Sequence, residues 1–301
     1  HNSKLPQNVR KLKQFAISVN PKTRSFQMAK ADKEKIRELR QAAYELRKDI
    51  LEMTTIAGSG HPTSSFSCID ILTALYFHEM KYDPKNPEWA GRDRFILSKG
   101  HAAPALYACL ARAGDFPREE IKKLRKINSM LQGHPDRKIP GVEIATGSLG
   151  TGLSVGNGMA WAGKMDRKKY HTYVMFGDGE LQEGQCWESI WTTTEFGLNN
   201  VTLIIDRNGL QNDGWVKDTK DPEPLGRKFE AFNWKVLKIN GHKFEEILPA
   251  LQKARKSKVP VCIIAKTVKG KGVKFIENSP DMHGKALTPE QYQKALKILK
   301  P

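Results

Sequence analysis

The 301 residues contain no apolar run that approaches the length of a membrane span, and no signal-peptide pattern opens the chain. A soluble, intracellular protein is the expectation. Cysteine is scarce. Cys68, Cys109, Cys186 and Cys262 are widely spaced, with no CxxC or metal-site spacing among them. They cannot supply a thiolate metal site or a disulfide framework, and their apolar or helical settings suit buried reduced thiols in a cytoplasmic protein. No HExxH segment or Cys/His cluster is present, which removes the familiar zinc arrangements. Acidic residues are the minority, 33 against 50 Lys and Arg, for a net charge of +17. That excess raises nucleic-acid binding as a question. The basic residues, however, are scattered along helices and tails, with no recognition helix, zinc-finger spacing or RNP-like aromatic stretch. Anionic small ligands and an acidic companion chain fit the field better, and nucleic acid is not expected as a partner. Internal repeats and low-complexity tracts are also missing. The length suits one α/β domain near the upper limit for an undivided core, over residues 31–301, preceded by a basic extension at residues 1–30. The opening His1 in place of Met reads as a processing remnant.

What is present is most informative between Tyr173 and Asn208. Tyr173 to Phe176 and Val201 to Ile205 are apolar runs with little alternation, the pattern of strands buried on both faces, and a helical stretch separates them. A βαβ unit with parallel strands follows. Asp178 and Asn208 fall where these two strands run out, and ligands of open parallel sheets sit in the crevice beyond the carboxyl ends of strands. A carboxylate and an amide oxygen suit a hard divalent cation that also takes phosphate oxygens, Mg²⁺ or Ca²⁺. Gly177 and Gly179 leave room for a phosphate beside Asp178, and a helix beginning near Gln182 directs free N–H groups to the same place. The expected site is therefore a metal-diphosphate site.

Around this unit the pattern predicts a helix from Ala31, with Ile36, Leu39, Ala43, Leu46, Ile50 and Met53 on one face, ended by Gly58. A second helix is expected over Ser67 to Met80 with Asp70 near its first turn, then a strand over Arg94 to Leu97 and a helix after His101 that holds Pro104 in its first turn. Gly152 to Met165, rich in Gly, Ala, Ser and Asn, reads as a helix packed closely on neighbouring backbone, at a subunit or domain interface. Leu210 to Gly226 reads as a loop. Strands at Trp234 to Ile239 and Val261 to Ala265 flank a helix over Phe244 to Lys256, and a helix over Thr288 to Leu299 closes the domain. The fold class is α/β, a doubly wound and mainly parallel sheet with helices on both faces.

Eight segments occur in an order that resembles the transketolases: AGSGHPTSS from Ala57, LSKGHAAP from Leu97, LQGHPD from Leu131, ATGSLGTG from Ala145, GDGELQEG from Gly177, DRNGLQNDG from Asp206, AKTVKGKG from Ala265 and DMHG from Asp281. The resemblance covers residues 50–285 and implies a thiamine-diphosphate-binding fold, with thiamine diphosphate and Mg²⁺ or Ca²⁺ as cofactors. It implies that Asp178 and Asn208 ligate the metal by their side chains and Leu210 by its carbonyl. His101 would contact the diphosphate side, while His61, His134 and His283 would face the reacting carbon and the sugar hydroxyls as neutral imidazoles titrating near working pH. Gly147 and Leu149 would offer backbone to the aminopyrimidine. Ser64, Gly177, Gly179 and Asn212 join the cofactor-binding set. Lys99 and Lys269 would add charge near phosphate, exposure being the alternative for each. Glu183 resembles the glutamate that couples paired active sites, a first-turn helix carboxylate being its plain alternative. Ser148 stands where many relatives have Pro.

Transketolases also carry a pyrimidine-binding domain, which holds the glutamate that activates the cofactor, and a C-terminal domain. This chain resembles only the first of the three. The resemblance thus implies the N-terminal subunit of a split transketolase, inactive alone. With a C-terminal subunit in an α2β2 assembly, it would transfer a two-carbon ketol unit from a ketose phosphate to an aldose phosphate. The rival readings are an enzyme for a specialised ketose, such as a sulfo-sugar or branched-sugar phosphate, and a non-catalytic regulatory subunit of the same fold.

Overall fold

The computed structural model describes residues 21–301 apart from Asp213, with side chains from Asp32 onward. The first part of the basic extension, residues 1–20, lies outside the described residues. The described residues up to Glu38 and residues 39–301 belong to two separate units. Helix α1 (Pro21–Ala57) begins earlier than its apolar stripe, because the residues before Ala31 are helical although they carry no such periodicity. Its stripe is as expected, with Leu39, Ala43, Leu46, Ile50 and Met53 at 2% exposure or less, and Gly58 at φ +60° ends it.

Helix α2 (Pro62–Ala74) starts at Pro62 and not at Ser67, and continues as a π-helical turn over Leu75–Glu79. Proline is well placed in a first turn, where its missing N–H is not needed. Every residue of α2 is buried. Asp70 is consequently in mid-helix, where the guanidinium of Arg47 donates to both its oxygens at 2.9 and 2.6 Å.

The remaining elements are β1 (Arg94–Leu97), α3 (Ala103–Ala113), α4 (Gly152–Met165), β2 (Thr172–Gly177), α5 (Gly184–Glu195) and β3 (Val201–Arg207), followed by β4 (Leu210–Gln211), β5 (Gly214–Trp215), α6 (Val216–Lys220), α7 (Leu225–Ala231), β6 (Lys235–Asn240), α8 (Phe244–Arg255), β7 (Val261–Lys266) and α9 (Pro289–Ile298). Five strands form one parallel sheet in the order β1-β2-β3-β7-β6. On one face Val174, Phe176, Leu203, Ile205 and Ile264 pack with Leu153, Ile190, Leu225 and Phe229 from α4, α5 and α7. The residues of opposite parity, Tyr173, Met175, Ile204 and Ile263, are equally buried, and Arg255 of α8 covers the Tyr173 ring at 5.6 Å. Two covered faces account for the missing alternation.

One expectation changes, and the close packing of α4 is met within the chain. The stretch after Asn208 is not a plain loop: β4 and β5 form a small antiparallel hairpin that runs into α6. And the small residues of α4 serve the sheet of this same chain. A Cβ on Gly156 would lie 2.7 Å from Val174 Cγ2, on Gly163 2.6 Å from the Tyr170 ring, and on Gly152 within the radius of the Ser98 hydroxyl. The close approach needs no second chain.

Candidate active site

Strands β2 and β3 run side by side with Gly177 opposite Asp206, so their ends deliver Asp178 and Asn208 to one crevice. Asp178 Oδ2 accepts the Gly209 N–H at 2.7 Å, and Oδ1 the Gly179 N–H at 3.1 Å. The Asn208 side chain is fixed at both ends. Its Oδ1 accepts the Leu210 N–H at 3.0 Å, while Nδ2 faces Ser67 and Asp206 at 3.4 Å. Burial pushes Asp178 up to about 6, since the carboxylate is 4% exposed and the Gly209 N–H and the Lys99 charge only partly offset its desolvation. A side chain at residue 179 would be crowded, since a Cβ there would stand 3.1 Å from Gln211 Cβ.

These residues line a cavity of about 290 Å³ together with Ser64, Lys99, His101, Leu149, Gly177, Glu183, Leu210, Asn212, Lys269 and His283. Almost the whole predicted set is thus brought together. His61, His134 and Gly147 stand just behind the lining. The His61 ring lies 5.1 Å from that of His101 and 5.2 Å from that of His283, and a Cβ on Gly147 would meet His134 Cδ2 at 3.3 Å.

Burial changes what the imidazoles can do. It pushes His61 down to about 3, helped by His283 and by nearby cations, and holds His101 well below the ordinary range, with His134 lowered as well. They are neutral, as expected, but His61 and His101 do not titrate near working pH. Neutral rings packed at van der Waals distance can each present one N–H and one lone pair to hydroxyl groups.

Neither lysine is exposed; both are 1% accessible. Lys99 forms an ion pair with Asp206 and donates to the Ser64 carbonyl at 3.0 Å. Lys269 Nζ lies 2.6 Å from His283 Nδ1, and burial together with the Lys99 charge pushes it down to about 8. An anion entering the cavity would meet this second ammonium. Glu183 occupies the position just before α5 in extended backbone and makes no capping bond, because a 3-10 turn over Gly179–Gln182 precedes the helix. The helix N-terminus is therefore at Gly184, later than expected from Gln182.

The donor set fits a hard cation. Among the described residues no group of three or more His, Cys, Asp or Glu side chains could hold a metal ion, so a soft nitrogen or sulfur site is not built here. One carboxylate, one amide oxygen and a main-chain carbonyl, with phosphate oxygens completing the shell, is instead the pattern of Mg²⁺ or Ca²⁺. The side-chain atoms Ser64 Oγ, His61 Nδ1 and Thr146 Oγ1 are buried without hydrogen-bond partners in and around the cavity. Such orphans are what a polar ligand would satisfy.

Sequence reasoning passed over three residues. Asp206 ends the apolar run of β3, and a carboxylate in a strand buried on both faces signals a hidden cation. Glu180 lies inside the GDGE turn and is 3% exposed. Gln182 Nε2 donates to Gln211 Oε1 at 2.6 Å and to the Lys220 carbonyl at 3.0 Å, tying α6 to the turn after β2.

A family model described as transketolase, thiamine diphosphate binding domain, matches residues 39–299. The chain is 41% identical over 252 residues to one of the subunits of the apulose-4-phosphate transketolase of Phocaeicola vulgatus, covering 83% of this chain and 90% of that protein. It is 41% identical over 261 residues to the 6-deoxy-6-sulfo-D-fructose transketolase subunit SqwG of a Clostridium species, covering 86% and 95%. Among solved structures, transketolase from Campylobacter jejuni superposes with a TM-score of 0.84 at 39% identity, over 87% of this chain and 42% of that one. The chain spans about two fifths of the length of the first curated transketolases that it matches.

Proposed function

The chain belongs to the transketolase family through its thiamine diphosphate binding domain, and from that premise we propose that it is one subunit of a two-chain transketolase. It would hold the diphosphate end of thiamine diphosphate while a second chain supplies the pyrimidine-binding domain, in an α2β2 assembly. Together they would move a two-carbon ketol unit from a ketose phosphate to an aldose phosphate, as in pentose phosphate interconversion. What carries the two-chain reading is extent: the relatives named as subunits are matched over 90% and 95% of their length. The cavity accords with it. At about 290 Å³ it sits at the lower end for a small-molecule site, as half of a shared one would.

In this reading Asp178, Asn208 and the Leu210 carbonyl hold Mg²⁺ or Ca²⁺ against the diphosphate. Lys269 adds a cation beside it, with His101 and Ser64 as hydrogen-bonding partners. Gly147 and Leu149 bound the far side of the cofactor, and Gly177, Gly179 and Asn212 shape the diphosphate pocket. His61, His134 and His283 orient the hydroxyls of the sugar. Glu183, exposed beside the cavity, is placed to reach across to a second chain. Thiamine diphosphate, when bound, supplies the carbon nucleophile that cleaves and rebuilds the carbon–carbon bond. Lys99 lines the cavity too, with its charge paired to Asp206.

A second reading, an enzyme for a specialised ketose, is favoured by the sugars in the names of the two subunit relatives, apulose-4-phosphate and 6-deoxy-6-sulfo-D-fructose. A cytoplasmic location goes with either, since all four cysteines are buried free thiols and no described helix is long and apolar enough to cross a membrane. The test is reconstitution. The chain and a pyrimidine-domain partner from the same source are assayed singly and mixed, with ordinary, sulfonated and branched ketose phosphates. Activity only in the mixture supports the proposal, and the preferred ketose decides between the readings. Activity of this chain alone would sink the two-chain claim.

A further inference from the structure

Glu180 is a buried carboxylate on which three hydrogen-bond donors converge from three separate segments. Its Oε1 accepts the Ser98 hydroxyl and the Gly150 N–H, the latter at 2.9 Å; its Oε2 accepts the Gly177 N–H at 3.1 Å. Ser98 lies between β1 and the turn that bears Lys99 and His101. Gly150 follows Gly147 and Leu149. Gly177 ends β2 and leads into Asp178. The Ser98 hydroxyl also accepts the Gly152 N–H at 3.2 Å, at the first residue of α4.

The sheet cannot do this work. Its hydrogen bonds join β1 to β2 as far as the Ser98 N–H on the Met175 carbonyl at 2.9 Å, and the turn at residues 147–151 belongs to no strand. Beyond that point the Glu180 carboxylate ties the turn to both strand ends, and the Gly152 N–H on the Ser98 hydroxyl adds a second tie to the β1 end alone. The seat is tight, since Gly150 has φ +86° and a Cβ there would stand 3.0 Å from Glu183 Cβ. Three donors aimed at one group require acceptor oxygens; burial pushes Glu180 up to about 7, and the Ser98, Gly150 and Gly177 donors act against that rise.

We propose that Glu180 is a positioning residue for the cofactor site, setting the spacing of the Lys99–His101 turn, the Gly147–Gly150 turn and the Asp178 loop. The inference rests on the cofactor reading above. Glu180→Gln is the sharp substitution. It keeps the shape but turns one oxygen into an NH₂ group, so that at least one donor faces another donor.

The experiment has two readouts. Amide hydrogen exchange of Gly150 and Gly177 is measured on the cofactor-free full chain. Calorimetric binding of thiamine diphosphate with Mg²⁺ is measured on the complex with the pyrimidine-domain partner. Glu180→Gln is expected to speed exchange at both amides and to weaken cofactor binding at least about tenfold, the size of one lost charge-assisted hydrogen bond. Unchanged exchange overturns the proposal. Faster exchange with unchanged cofactor affinity also overturns it, because Glu180 would then only support the fold. Should Glu180→Gln fail to fold, Ser98→Ala removes one donor alone, and severalfold weaker cofactor binding is expected; unaltered binding counts against the proposal. If the unsubstituted complex binds no thiamine diphosphate, the cofactor reading fails and the inference with it, a result distinct from the others because the exchange data are taken without cofactor.

Discussion

The ammonium of Lys99, which lines the cavity, and the carboxylate of Asp206 pair in the interior, with side chains 2% and 0% exposed. Ser67 and Thr267 donate to the same carboxylate, and Lys99 reaches the Ser64 carbonyl, so both charges have their remaining hydrogen bonds met. The pair joins the turn after β1 to the end of β3 and to α2. It is an internal strut, and its net charge is zero.

Removing one partner leaves the other charge stranded in a low-dielectric setting. Lys99→Met is expected to lower unfolding free energy by about 3–5 kcal/mol, and Lys99→Met with Asp206→Leu to recover much of that loss. Urea denaturation of the two variants checks this. Equal stability of the single variant and the unsubstituted chain would mean that the pair contributes nothing.

Asp178 makes the cofactor-free chain less stable as pH rises. Its folded value, raised to about 6 from an ordinary 3.8, means that the folded state holds the proton more tightly. That contribution is fully present below pH 4 and is lost as pH rises through 6. Relative to the unsubstituted chain, Asp178→Ala should therefore gain about 2–3 kcal/mol between pH 4 and 7. Thermal melts across this range in citrate and phosphate would show it. The same variant should show no rise in melting temperature on adding Mg²⁺ and thiamine diphosphate to the complex.

The His61 ring should not titrate between pH 5 and 8, because burial and neighbouring positive charge hold it down to about 3. In a ¹³C-labelled sample its Cε1 and Cδ2 shifts are expected to stay fixed over that range. A midpoint near 6.5 would mean that the cluster with His101 and His283 is open to water.

Gly100→Ala would place a methyl 2.6 Å from Thr146 Oγ1 and 3.0 Å from the Gly147 nitrogen. Backbone has to give way, so a loss of about 1–3 kcal/mol in stability is expected. Because the displaced backbone borders the cavity, cofactor affinity of the complex should fall as well. Calorimetry with thiamine diphosphate would measure the second effect separately from the first.

Legibility in the sequence followed the physics of each element. The central βαβ unit could be read because both sheet faces are covered, which writes an unbroken apolar run into β2 and β3. Asp178 and Asn208 could be read because they stand where those runs stop. The hairpin of β4 and β5 could not, since two residues per strand carry no periodicity. Nor could the start of α2, where Pro62 looks like a breaker until it is seen in a first turn. Glu180 was hidden for another reason: its partners Ser98, Gly150 and Gly177 come from three segments, and only folding brings them within reach. The pairing of Lys99 with Asp206 was hidden in the same way.

Helix α4 has one more consequence. Its Gly152, Gly156 and Gly163 seat directly on the side chains of Ser98, Val174 and Tyr170, so the helix axis is set by what lies beneath it, like a beam resting on its bearing. The turn at residues 147–151 leads into the end of that beam and is held on its other side by Glu180. Adding a methyl at Gly156, far from the cavity, would raise the beam and tilt the turn with it. The place of Leu149 in the cavity lining would then answer to a contact made by residues that do not line it.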